Sequence, residues 1–182
     1  MLGMNDSQLP TGYRREDGME DEQKIKILLV DDEVKFLESI ARRLELRNFE
    51  VTTATSGEES IAAAEKYLFD VAILDLQMPG LDGAQVLTRL KERHKYLEII
   101  MLTGHATVDS AVECTKLGAF QYLEKPYAFD KLLESIKDAY KARLKRKFEH
   151  NEKRYEEIQK LSLGSSPFGI LKALARLDNE DK

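Results

Sequence analysis

The chain has 182 residues, 42% apolar and 34% charged, with a formal net charge of -5 at pH 7. That length buries one full-sized core with residues left over, and the negative balance argues against general nucleic-acid binding. No apolar run approaches the roughly 18 residues that cross a membrane, no signal-peptide core opens the chain, and Cys114 has no second cysteine to pair with, so a reduced, cytoplasmic setting is expected.

Residues 1–24 mix Gly, Pro, Asn and acidic residues without a hydrophobic period and read as a flexible leader. From Ile25 the texture changes to a strand, Ile-Lys-Ile-Leu-Leu-Val, that runs into Asp31-Asp32-Glu33. Phe36, Leu37, Ile40, Ala41 and Leu44 then recur at helical spacing up to Asn48. Phe49 to Ala54 alternates as a second strand, and Glu58 to Tyr67 makes a second helix after the Ser56-Gly57 turn. Val71 to Leu74 is a short apolar run suited to a central parallel strand; it ends in Asp75, and Asp82-Gly83 opens a helix through Val86, Leu87 and Leu90. Glu98 to Thr103 is a fourth strand, Thr107 caps the helix carrying Val108, Ala111 and Val112, and Gly118 stops it. Phe120 to Glu124 is a fifth strand ending at Lys125-Pro126, and the last helix of the domain begins near Phe129. Strands and helices in alternation predict a doubly wound α/β fold, a five-stranded parallel sheet with right-handed crossovers over residues 25–140.

In such a sheet ligands collect at the carboxyl ends of the strands. Those ends carry Asp31 and Asp32, Asp75, Thr103 and Lys125. Three carboxylates brought together repel, each close pair by about 4 kcal/mol at ~4 Å and an effective dielectric near 20, so they call for protonation or a cation. Hard oxygen donors with room for water suit Mg²⁺, which shares itself with a phosphate, while Lys125 and Thr103 are suited to holding phosphoryl oxygens. The residues read as a site that places a phosphoryl group on Asp75.

Four stretches, Leu28-Leu-Val-Asp-Asp-Glu33, Leu74-Asp-Leu-Gln-Met-Pro-Gly-Leu-Asp-Gly83, Leu102-Thr-Gly-His105 and Tyr122-Leu-Glu-Lys-Pro126, together resemble the receiver domain of two-component response regulators, of the nitrogen-regulatory type. The resemblance implies a flavodoxin-like fold of strand order 2-1-3-4-5 and a phosphoryl group passed from a sensor histidine kinase to Asp75. It further implies Mg²⁺ held by Asp31, Asp32, Asp75 and the backbone carbonyl of Gln77, phosphoryl oxygens bound by Thr103 and Lys125, and Tyr122 as a switch aromatic beside Thr103. The histidines are too scattered for a metal site; His105, two residues beyond Thr103, is with Gln77 a candidate for lining the path of an attacking water.

After the domain no helix-turn-helix pattern or Gly-rich ATPase loop appears. Residues 141–163 read as a charged helical extension that begins Lys141-Ala-Arg-Leu-Lys-Arg-Lys147, and 164–182 as a short amphipathic tail. Tyr140, Leu144, Phe148, Asn151, Tyr155 and Ile158 line one side of the extension, a stripe with nothing in its own domain to cover it, which makes it a candidate for homodimerisation. The expected function is a single-domain response regulator that signals to an unknown downstream protein through phosphorylation-dependent contacts, its only catalysis being its own phosphotransfer and dephosphorylation. The alternative is a transcriptional regulator that binds nucleic acid through the basic run. Acids after the first strand argue against a flavin phosphate there.

Overall fold

The computed structural model describes residues 24–104 and 106–164, the side chains of 155 and 157–164 excepted. The leader before Lys24, His105 and the tail after Gly164 lie outside the described residues. The elements alternate without exception: β1 Lys26–Val30, α1 Val34–Glu45, β2 Glu50–Ala54, α2 Gly57–Lys66, β3 Val71–Leu74, α3 Gly83–Arg93, β4 Glu98–Thr103, α4 Val108–Lys116, β5 Gln121–Glu124 and α5 Phe129–Gly164. All neighbouring strands pair in parallel, in the order β2-β1-β3-β4-β5.

The pleat divides each strand between two cores. Ile27, Leu29, Val71, Ile73, Ile100 and Leu102 point to the face covered by α1 and α5, where Leu37, Leu44, Leu132 and Ile136 are buried. Leu28, Val30, Ala72, Leu74, Ile99 and Met101 point to the face covered by α2, α3 and α4, with Ala64, Val86, Leu87, Leu90 and Cys114. Every residue of β3 and β4 is buried, the mark of central parallel strands covered on both sides.

The starts of α2, α3 and α4 are fixed by side-chain caps. Asp82 and Gln85 form a reciprocal capping box on α3, and Thr107 and Ser110 form one on α4. Gly83 is required by close approach: a Cβ there would lie 2.1 Å from the Asp75 carbonyl oxygen, and its amide donates to the Leu76 carbonyl at 2.9 Å. The start of α3 is thereby pressed against the chain leaving β3.

Helix α5 continues out of the domain, as the sequence predicts. It is one helix of 36 residues, which runs through position 140 without a break. Of the expected stripe, Leu144 is 45% and Phe148 63% exposed, whereas Tyr140 packs against the domain core and the side chains of Tyr155 and Ile158 lie outside those described. The opposite side of the helix packs on the chain's own domain: Arg143 Nη2 lies 3.1 Å from Asp70 Oδ1, Arg146 Nη1 2.9 Å from Glu98 Oε1, and His150 stacks edge-on against Tyr96. No helix among the described residues is long and apolar enough to cross a membrane.

Candidate functional site

The edge beyond the carboxyl ends of the strands is held by backbone hydrogen bonds that continue the ladders. The amide of Asp31 donates to Ala54 at 3.2 Å, that of Asp75 to Val30 at 2.9 Å, and that of Lys125 to Thr103 at 2.8 Å. The polar side chains that follow β1, β3 and β5 are thus fixed by the sheet itself. The Lys125-Pro126 peptide bond is cis.

Asp31, Asp32 and Asp75 each offer a carboxylate oxygen, all within 4.8 Å of one another. Asp31 and Asp75 are buried and Asp32 is exposed, so the cluster opens to solvent on one side only. The Glu33 amide donates to Asp31 Oδ1 at 2.9 Å, which orients the carboxylate. Lys125 Nζ lies 2.5 Å from Asp31 Oδ2 and 3.9 Å from Asp75 Oδ1, and also sits over the Phe36 ring, 4.0 Å from its centroid. Asp75 Oδ1 is buried and without a hydrogen-bond partner. Burial raises the Asp75 pKa; Lys125 opposes the rise, Asp31 adds to it, and hydrogen bonds from the Leu76 amide and the Thr103 hydroxyl oppose it.

Three carboxylates facing one ammonium leave a negative excess in a largely buried place, and one buried oxygen lacks a donor. That donor set fits a hard divalent cation such as Mg²⁺, with the open side free for water.

The structure therefore brings together Asp31, Asp32, Asp75, Thr103 and Lys125 as the sequence predicts. Gln77 sits exposed in the loop after β3, beside a groove of about 530 Å³ that Ser110 and Glu113 line on its far side. His105, expected along the water path, lies outside the described residues. Tyr122 is half-buried, its hydroxyl 2.9 Å from Ser110 Oγ in the first turn of α4. This tether was not foreseen, although Ser110 three residues after the Thr107 cap was a signal that its hydroxyl faces the helix start. Tyr127 was missed altogether. Its hydroxyl is buried without a partner, and burial pushes its pKa up to about 12, with Arg43 opposing and Asp31 reinforcing the shift.

Five parallel strands in the order 2-1-3-4-5, helices on both faces and an acidic cluster at the carboxyl edge define a flavodoxin-like protein of the CheY kind. Residues 27–137 match the response regulator receiver domain, and the chain belongs to that family. It is 34% identical over 118 residues to the C4-dicarboxylate transport transcriptional regulatory protein DctD of Pseudomonas aeruginosa, a match covering 65% of this chain and 26% of DctD. The CheY-like receiver domain protein of Methanospirillum hungatei is similar with a TM-score of 0.66 at 31% identity, over 68% of this chain and 98% of that one. The response regulator TrrA of Thermotoga maritima, in complex with Mg²⁺ and BeF, is similar with a TM-score of 0.58 at 32% identity, over 63% of this chain and 98% of TrrA. The chain spans about a quarter of the length of DctD. Receiver domains serve phosphorylation-dependent two-component signalling, partner with histidine kinases and bind Mg²⁺ at an acidic pocket; their chemistry is phosphotransfer.

Proposed function

We propose that Asp75 accepts a phosphoryl group from a histidine kinase, with Mg²⁺ held by Asp31, Asp32, Asp75 and the backbone carbonyl of Gln77, and that the phosphorylated domain acts through protein contacts. The observation that carries this reading is the buried, unpartnered Oδ1 of Asp75 inside a three-carboxylate cluster that a single lysine leaves negative. Mg²⁺ bound there supplies positive charge that offsets the carboxylates and the phosphoryl oxygens during transfer.

The chain's own groups do the rest. The Asp75 carboxylate attacks phosphorus as the bond from phosphorus to the kinase imidazole breaks, and the electron pair of that bond stays on the imidazole nitrogen. Lys125 Nζ, already 3.9 Å from Oδ1, shifts from Asp31 to a phosphoryl oxygen. The Thr103 hydroxyl turns to a second oxygen. Tyr122 then moves toward the space Thr103 leaves, which breaks its bond to Ser110 and frees the start of α4. Val108, 80% exposed, and Val112, 47% exposed, give that helix an apolar outer side for a listening protein.

Protein contacts are favoured over nucleic-acid binding by the basic run because four of its five cations already face carboxylates. Lys141 pairs with Asp138 at 3.2 Å, Arg143 with Asp70 at 3.1 Å, Lys145 with Glu149 at 3.9 Å and Arg146 with Glu98 at 2.9 Å. The exposed Leu144 and Phe148 side of α5 supports pairing with a second copy of the chain. The test of the central assignment is intact mass after incubation with acetyl phosphate. Wild-type protein should gain one alkali-labile phosphoryl group and Asp75→Asn none; equal labelling of both would reject Asp75 as the acceptor.

A further inference from the structure

The opposite edge of the sheet carries a second polar site. Beneath the amino ends of β3 and β4, the last turn of α3, the loop to β4 and the extension of α5 enclose a cleft of about 660 Å³. Its walls hold Lys91, Arg93, Lys95, Arg143 and Lys147 against a single carboxylate, Glu92. In a chain of net charge -5 this is a local reversal of sign.

Some of that charge is consumed and some is not. Arg93 pairs with Glu65, and Lys91 Nζ bonds the Leu97 carbonyl at 2.8 Å and Glu98 at 3.2 Å. Lys147 has no ion pair among the described residues. Lys95 Nζ lies 3.0 Å from His150 Nε2, a ring nitrogen that carries no negative charge. Arg143 uses Nη2 on Asp70, yet its Nε is buried and has no hydrogen-bond partner. Arg143 and two cations without a carboxylate, Lys95 and Lys147, thus line one cleft. The remaining lining is mixed: Leu68, Phe69, Leu97 and the Tyr96 ring form an apolar part, and His94 and Asn151 add polar groups.

We propose that this cleft binds a nucleotide-sized phosphomonoester, its phosphate between Lys95, Arg143 and Lys147 and its carbon skeleton against Tyr96. The volume falls in the range of small-molecule sites, about 300–1,000 Å³, and the pairing of cationic donors with an apolar wall is what an organic phosphate requires. A bounded cleft of this size also distinguishes the site from a stripe that would follow a nucleic-acid backbone. The proposal does not depend on the role of Asp75, since the two sites lie at opposite edges of the sheet. Because α5 forms one wall, occupancy would hold the helical extension against its own domain.

The experiment is calorimetric titration of the full chain with AMP in EDTA, with adenosine as the uncharged probe. Saturable binding of AMP, with none of adenosine, is expected. Lys95→Glu and Lys147→Glu, both at exposed positions, should each weaken AMP binding at least about tenfold while leaving circular dichroism and acetyl phosphate labelling unchanged. Lys137→Glu, the same charge change elsewhere on α5, should leave AMP binding as it is. Absence of saturable AMP binding, adenosine binding as well as AMP, or equal losses in Lys137→Glu and Lys147→Glu would overturn the proposal.

Discussion

The two edges of the sheet are built from the same residue types and reach opposite balances. At the carboxyl edge three carboxylates meet one lysine, and a buried oxygen is left without a donor. At the amino edge the buried carboxylate of Glu98 meets two cations, Lys91 and Arg146, and Asp70 accepts both Arg143 and the Lys26 amide, the latter at 2.8 Å. A carboxylate surplus at one edge leaves room for a cation and chemistry. At the other edge cations match or outnumber the carboxylates and tie a helix down, although Glu98 Oε1 and Arg143 Nε there have no hydrogen-bond partner. The charge balance around a buried acid, more than its presence, separates a reactive site from a clamp.

The contrast can be broken hardest at the clamp. Glu98→Ala leaves Lys91 mostly buried beside no carboxylate, and should cost about 3 kcal/mol in urea denaturation. Arg146→Ala removes the more exposed partner, and should cost less than about 1 kcal/mol. Equal losses would show that Glu98 is not the centre of that cluster. At the reactive edge the most damaging change is steric. Gly83→Ala drives a methyl group into the Asp75 carbonyl, so a loss of about 2 kcal/mol is expected, together with slower labelling by acetyl phosphate.

The edges should also differ in how they respond to pH. Burial, the first cause, raises the Asp75 pKa above its ordinary 3.8, so the folded chain holds that proton more tightly than the unfolded chain does. The contribution of Asp75 to stability therefore falls as pH rises from about 3.8 through the raised value, and the cost persists above it. Without divalent cations Asp75→Asn should be the more stable protein at neutral pH, its advantage over wild type should shrink toward pH 4, and Mg²⁺ should reduce it by stabilising wild type alone. Thermal melts of both proteins across pH check each sign. A small effect is expected at Tyr122: Tyr122→Phe loses the bond to Ser110, so a loss of about 1 kcal/mol is expected, with amide shifts confined to the start of α4 and its neighbours.

What the sequence showed follows from what local patterns can encode. Periodicity of two and of 3.6 located the strands and helices, with β5 starting at Gln121 rather than Phe120, and the carboxyl edge was legible because each of its residues ends a strand or follows one within two positions. The amino edge was not. Arg143 and Asp70 are far apart in the chain, and the stripe of large residues on the extension drew attention to one side of the helix while the paired cations occupy the other. The Tyr122 to Ser110 bond was hidden for the same reason, since neither residue's local pattern names its partner. Gly83 announced the start of α3 beside Asp82, but its contact with the Asp75 carbonyl emerges only when α3 and β3 are packed.

The measurement closest to the central claim, that the carboxylate surplus at Asp75 is a demand for a divalent cation, is a titration of the full chain with Mn²⁺ followed by electron paramagnetic resonance. Saturable binding is expected in wild type, weakened at least about tenfold by Asp31→Asn and by Asp75→Asn, and unchanged by Glu98→Gln at the amino edge. Mn²⁺ binding that survives both aspartate substitutions, or that is lost with Glu98→Gln instead, would contradict the account.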